Sequence, residues 1–206
     1  MSAVHVKTRI SKCRKAFYSL QSVGMCNNGV EPKVISYLWK TAIQPILMYG
    51  AESFQQRRKN VMDMIKIQSR LVKSSLGLKK YFHSTPLLAA LFIPKIDTVL
   101  NTQTLQLFNS IMGNNARAKK LYCHVLKNFS CTSPQSTLIH RAIDICRRND
   151  TSIVKTIFDK NYVKNVCKQL KKKDCVNDGL VDSCRQLLNQ YDGYNKYMLE
   201  LLLTPF

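Results

Sequence analysis

Apolar residues near the start of this chain recur at the period of an α-helix, and that spacing limits the fold more than any other feature. Val6, Ile10, Cys13, Phe17 and Leu20 follow one another at steps of 4, 3, 4 and 3. At about 100° per residue the five fall in one narrow stripe, the pattern of a helix that packs one side on a core. Lys12 and Lys15 lie opposite, with Lys7 and Arg14 on one flank. The segment reads as a helix over 4–23, ended by Gly24 and the turn Asn27-Asn28-Gly29. Sustained period-2 alternation is scarce, and only seven Gly and six Pro interrupt 206 residues. The fold class that follows is all-α: an irregular helical bundle, with length for two helical subdomains, 1–96 and 97–206.

The next segments extend the pattern. Pro32 suits the first turn of a second helix, where its missing N–H costs nothing. Val34, Ile35, Leu38, Trp39, Ala42 and Ile43 make this helix apolar over most of its circumference, leaving a rib of Lys33, Tyr37, Lys40 and Gln44. Pro45 should kink or end it, because proline removes a backbone donor and clashes with the preceding turn. A third helix over 57–76 stops at Gly77. Val61, Ile65, Gln68, Val72 and Leu76 share its inner face with Met64 and Leu71, while Lys59, Lys66, Arg70 and Lys73 gather on the other side. Ser84-Thr85-Pro86 reads as an N-cap and helix start before the apolar run 87–92. Ile96, Leu100, Leu107 and Ile111 predict another helix, stopped by Gly113-Asn114-Asn115. Further helices are expected near 115–128, 136–148, 151–172, 179–190 and 194–203, with a loop at 131–134. Boundaries near 113–115 or 129–135 also fit the turn residues there.

Charge narrows the partner. There are 32 Lys+Arg against 12 Asp+Glu, a formal net charge of +20, although charged residues make up only 21% of the chain. The imbalance is a shortage of acids, and such self-repulsion suits a polyanionic partner. Residues 1–96 carry 16 basic residues against three acids (Glu31, Glu52 and Asp63), a net of +13. That half is the better candidate for phosphate contact. A single basic rib is most simply a solvated face; three successive ribs with few acids between them favour phosphates. Tyr37, Trp39 and Tyr49 could stack bases, with Trp39 better placed in the core. No apolar run approaches the roughly 20 residues of a spanning helix, and the first residues lack the apolar stretch of a secretory signal. Nuclear or cytoplasmic residence, with reduced thiols, is the corresponding expectation.

No catalytic constellation emerges. No two acids are adjacent, whereas template-directed polymerases hold two metal ions between carboxylates. Cys123, Cys131, His140 and Cys146 are separated by 7, 8 and 5 residues, unlike the compact pairs of zinc sites. Cys167, Cys175 and Cys184 are no better spaced. Buried or free thiols are the simpler reading, and neither a metal nor a cofactor is expected. Gly24, Gly29, Gly50 and Gly77 stand singly and form no phosphate-binding loop.

The segment Ile43-Gln44-Pro45-Ile46-Leu47-Met48-Tyr49-Gly50-Ala51-Glu52 resembles the "v-x-P-x-L-x-Y-G-x-E" stretch that follows the catalytic palm in non-LTR (LINE-type) retrotransposon reverse transcriptases. Before it, residues 9–20 with the Gly24 break resemble the helix that opens the thumb of those enzymes. After it, Ile67-Gln68-Ser69-Arg70 and Leu76-Gly77-Leu78 resemble the "q-x-x-l…i-l-g" helix, and Ser84-Thr85-Pro86 the "s-t-P" helix start. The resemblance covers a little under half the chain. Phe54 stands where the family usually has Trp, and Phe92 where a Gly often follows the Ser-Thr-Pro helix. The family's Tyr/Phe-x-Asp-Asp turn does not occur and would precede Met1.

The resemblance implies a thumb fragment that grips template–primer duplex, RNA or RNA–DNA hybrid, without catalysis of its own, the palm belonging to a parent protein. It implies backbone contacts from Lys7, Arg9, Lys12, Arg14, Lys15, Lys33 and Lys40, joining the rib of Lys59, Lys66, Arg70 and Lys73. Pro45, Tyr49, Gly50 and Glu52 would shape the turn. No motif assigns a role to 97–206. The alternative is a helical protein-interaction module derived from a retroelement remnant. Peripheral membrane attachment ranks last, since the apolar stripes are committed to a core.

Overall fold

The computed structural model describes residues 3–25, 30–52, 57–114, 117, 120, 124, 138–152, 155–156 and 159–175. Among these the fold is all-α and contains no strand. The helices are α1 (Ala3–Ser22), α2 (Pro32–Leu38), α3 (Gln44–Met48), α4 (Arg58–Ser75), α5 (Ser84–Ala90), α6 (Ile96–Asn114), α7 (Leu138–Arg148) and α8 (Lys160–Cys175). The described residues divide into two compact units, one within 3–49, 57–97 and 172–175, the other within 50–52 and 98–171.

In the first unit, α1 lies against α3 and α4, and α4 against α5. Val6, Cys13 and Phe17 of the α1 stripe are buried, while Ile10 and Leu20 are half-buried. α2 does start at Pro32. Ile35 and Trp39 are buried, but Val34 is exposed and Leu38 and Ala42 only half-buried, so more of this helix is wet than its composition suggested. Pro45 does not break the chain's course. The backbone widens to a π-turn over Trp39–Ile43, in which the Gln44 N–H reaches back five residues to the Trp39 carbonyl, and α3 then continues through Pro45. An extra residue in one turn is a known way for a helix to absorb a kink.

α4 buries Met64, Ile67, Gln68, Leu71 and Val72. Two buried polar side chains clamp the segment after α5: Ser36 Oγ donates to the Leu91 carbonyl at 2.6 Å, and Gln68 Nε2 to the Pro94 carbonyl at 3.1 Å. The N-cap of α5 is His83, one residue earlier than expected, and no side chain caps it.

In the second unit, Leu105, Phe108 and Met112 of α6 pack with Ala142, Ile145 and Cys146 of α7 and Val163, Val166 and Cys167 of α8. α6 forms where Ile96, Leu100, Leu107 and Ile111 predict a helix; Ile96 and Leu100 are buried, while Leu107 is half-buried and Ile111 exposed. The expected helix over 151–172 is interrupted. Asp159 Oδ1 accepts from the Asn161 and Tyr162 N–H groups at 2.8 and 2.9 Å and so caps a fresh start for α8. In the expected helix 115–128 the described residues 117, 120 and 124 are helical. The expected helices at 179–190 and 194–203 and the loop at 131–134 lie outside the described residues.

Candidate nucleic-acid interface

α4 carries the candidate interface because one of its sides is buried and the other faces water. Lys59, Lys66 and Arg70 project from the face opposite the buried residues, and all three are exposed. Helical spacing places them within roughly 40° of one another. Asp63 falls near the same rib, but no ion pair joins it to Lys59 or Lys66. Lys73 departs from this rib. Spacing puts it on the rib, yet the residue is buried, and its Nζ donates to the Lys80 carbonyl at 3.0 Å. Burial lowers its pKa from the ordinary lysine value. Lys73 thus ties the loop after α4 down to the helix rather than offering its charge freely to solvent.

That loop turns the rib into the wall of a groove. Lys66, Arg70, Lys73 and Lys80 line a cleft of about 610 Å³ together with Ser69, Ser74, Ser84 and Tyr18. Ile65, Leu71 and Leu78 add apolar lining, and no carboxylate lines the cleft among the described residues. The loop holds its place because α4 ends at a left-handed glycine. Gly77 has φ +67, with its N–H on the Ser74 carbonyl at 3.2 Å and the Leu78 N–H on the Lys73 carbonyl at 2.9 Å. This is the Schellman arrangement of a helix end. It reverses the chain and brings Lys80 beside Lys73.

α1 adds a second basic line. Lys7, Ser11, Arg14 and Tyr18 follow at steps of 4, 3 and 4 and therefore share one face, which ends at the cleft. Lys7, Lys12, Arg14 and Lys15 are all exposed. None of these four, nor Lys59, Lys66 or Arg70, is held in an ion pair among the described residues. Tyr18 is 55% exposed and meets Phe17 edge-on, with ring centroids 5.6 Å apart.

The remaining candidates divide. Arg9 is half-buried and engaged. Its guanidinium lies 4.3 Å from the centre of the Tyr49 ring, and its Nε donates to His5 Nε2 at 3.2 Å. Lys33 is half-buried and Lys40 exposed. Pro45 is exposed. Tyr49, with φ −53 and ψ 119, and Gly50, with φ +71, match the central pair of a type II turn, whose third residue is normally glycine. Nothing lies within 4 Å of a Cβ added at Gly50, so the turn needs glycine for conformation and not for space. Glu52, in the second unit, is half-buried and raises the pKa of Arg141, opposing the larger lowering that burial imposes. Arg141 also donates to the neighbouring Ala51 carbonyl at 3.4 Å. Glu52 therefore compensates a partly buried cation. Trp39, as expected, is core.

No family model, curated protein or solved structure matches the chain.

The site must then be read from its chemistry. No group of three or more His, Cys, Asp or Glu among the described residues could hold a metal. Cys13, Cys146 and Cys167 are buried free thiols. Burial pushes the Cys13 thiol up from 9.0 to about 12, and raises Cys167 as well, which suppresses the nucleophilic thiolate. No described helix is long and apolar enough to cross a membrane. What the groove can do is bind: cations for an anion, hydroxyls for hydrogen bonds and an exposed ring. Lys80 and Tyr18 escaped the sequence reading for different reasons. Lys80 follows a helix stop, where periodicity says nothing about direction. Tyr18 was legible, one turn beyond Arg14 on the same face.

Proposed function

We propose that this chain is a thumb-like nucleic-acid-binding piece of a retrotransposon RNA-directed DNA polymerase, gripping RNA or RNA–DNA hybrid through backbone phosphates and carrying no catalysis of its own. The observation that carries this reading is the charge of the α4 groove: Lys66, Arg70 and Lys80 are exposed and line a cleft with no carboxylate among the described residues. Cations so placed neutralise phosphates and release counterions, a contribution indifferent to base sequence. α1 supplies further cations from Lys7, Lys12, Arg14 and Lys15. On this reading the polymerase chemistry belongs to a palm outside this sequence.

The family reading has separate support in two backbone conformations. Tyr49-Gly50 makes a turn that requires glycine at its second central position. Phe92 adopts φ +52 at the end of α5, where the family often has glycine. A left-handed non-glycine residue is what a divergent copy would leave at such a stop.

The test is charge reversal. Lys66→Glu with Arg70→Glu should weaken binding to an RNA–DNA hybrid at least tenfold, with helical content unchanged by circular dichroism. Lys12→Glu with Lys15→Glu should weaken it further. Unchanged affinity in the fourfold variant would leave the ribs idle and favour the protein-interaction module instead.

A further inference from the structure

We infer that the α4 groove holds one or two unpaired nucleotides, with a base against Tyr18 and phosphates along the basic wall. This rests on the nucleic-acid reading above and adds to it a preference for single strand at this place.

Three features of the groove lead there. The first is size. About 610 Å³ lies within the range of roughly 300–1,000 Å³ that encloses small organic ligands, far below what a duplex turn would need. The second is the arrangement of charge. Lys66 and Arg70 stand one turn apart on α4, about 6 Å along the axis, and Lys80 lines the same cleft from the loop that Lys73 fastens. The wall can thus neutralise more than one phosphate of a strand passing through. The third is Tyr18. The residue is more than half exposed and lines this basic cleft, while its ring is braced edge-on by Phe17. A base has a π-face whatever its identity, and rings beside cationic grooves bind single strands by offering a platform to that face. A paired and stacked base has no free face to offer. Ser69, Ser74 and Ser84 add hydroxyls able to donate to phosphate oxygens or accept from a ribose hydroxyl.

The experiment compares two ligands on the full chain at fixed salt: a blunt RNA–DNA hybrid, and the same hybrid with a short single-stranded RNA tail. The quantity read is the ratio of the two Kd values. The tail should tighten binding by about tenfold, toward the low end of what stacking a base on an aromatic ring contributes. Tyr18→Phe should keep the ratio, and Tyr18→Leu should bring it close to one. A ratio near one in the unaltered chain, with the blunt hybrid still bound, overturns the inference and leaves the proposed function standing. A full tail effect in Tyr18→Leu also overturns it, since the gain would then be only the extra phosphates. Failure to bind either ligand removes the nucleic-acid reading and this inference with it.

Discussion

At the scale of single residues, four helix ends share one solution with three residue types. α1, α4, α5 and α7 each finish with a left-handed residue: Gly24 at φ +87, Gly77 at +67, Phe92 at +52 and Asp150 at +50. In each, the following N–H returns to a carbonyl five residues back, as from Met25 to Leu20 at 3.0 Å and from Ile93 to Leu88 at 2.8 Å. Glycine adopts this conformation without a Cβ clash; other residues lose about 1–2 kcal/mol. Gly24→Ala should therefore destabilise the chain by about 1–2 kcal/mol, although open space surrounds its missing Cβ. Gly113 also has open space but lies within α6 without a left-handed φ. Gly113→Ala should stabilise by roughly 0.5–1 kcal/mol. Urea unfolding midpoints measure both, and opposite signs are the expected result.

Cys13 offers a pH test at the same scale. Its thiol ionises near pH 9.0 when unfolded and at about 12 when buried in the core. Its contribution is fully present below pH 9 and is lost as pH rises toward 12, because only the unfolded chain gives up the proton there. The slope is at most roughly 1.4 kcal/mol per pH unit for one such group. Cys13→Ala should therefore flatten the alkaline fall in unfolding free energy relative to the unaltered chain. An identical fall in both would refute the assignment.

At the scale of elements, legibility followed how many sides a helix buries. α1 buries one stripe, and its spacing alone placed Val6, Cys13 and Phe17 inside. α4 was read in part: Met64, Gln68, Leu71, Val72 and Leu76 are buried as expected, whereas Val61 and Ile65 are half-buried and Ile67, outside the expected face, is buried. Lys73 is a departure that spacing cannot catch. Lys66 and Lys73 stand two turns apart on the same rib, yet one is exposed and the other buried, because only Lys73 finds the Lys80 carbonyl to satisfy its ammonium. α6 was legible as a helix, with Ile96 and Leu100 inside, but most of its buried residues were not. It buries Val99, Leu100, Leu105, Phe108 and Met112 with Thr102 and Thr104, so no single stripe describes it. The two threonines tolerate burial by donating to the Val99 and Leu100 carbonyls of their own helix, at 2.9 and 2.8 Å. The π-turn before Pro45 was equally invisible, since widening and breaking a helix satisfy the same rule about proline. α4 also carries a structural prediction. Gln68 is fully buried and gives the Pro94 carbonyl its hydrogen bond. Gln68→Ala should cost about 2–4 kcal/mol by combining a cavity with an unpaired buried carbonyl, read as a lowered Tm.

At the scale of the whole molecule, the chain's +20 charge acquires a use only if the cations can reach a partner together. Within the first unit seven of the chosen basic residues are exposed and in no ion pair among the described residues, and two of them line one groove with Lys80. A surface built this way binds through released counterions, so its affinity must follow ionic strength. The most direct measurement is therefore the Kd for an RNA–DNA hybrid from about 50 to about 200 mM salt. Four to six neutralised phosphates predict a loss of affinity of about a hundred- to a thousandfold over that range, with little dependence on hybrid sequence. An affinity that stays flat across the same range would contradict the account.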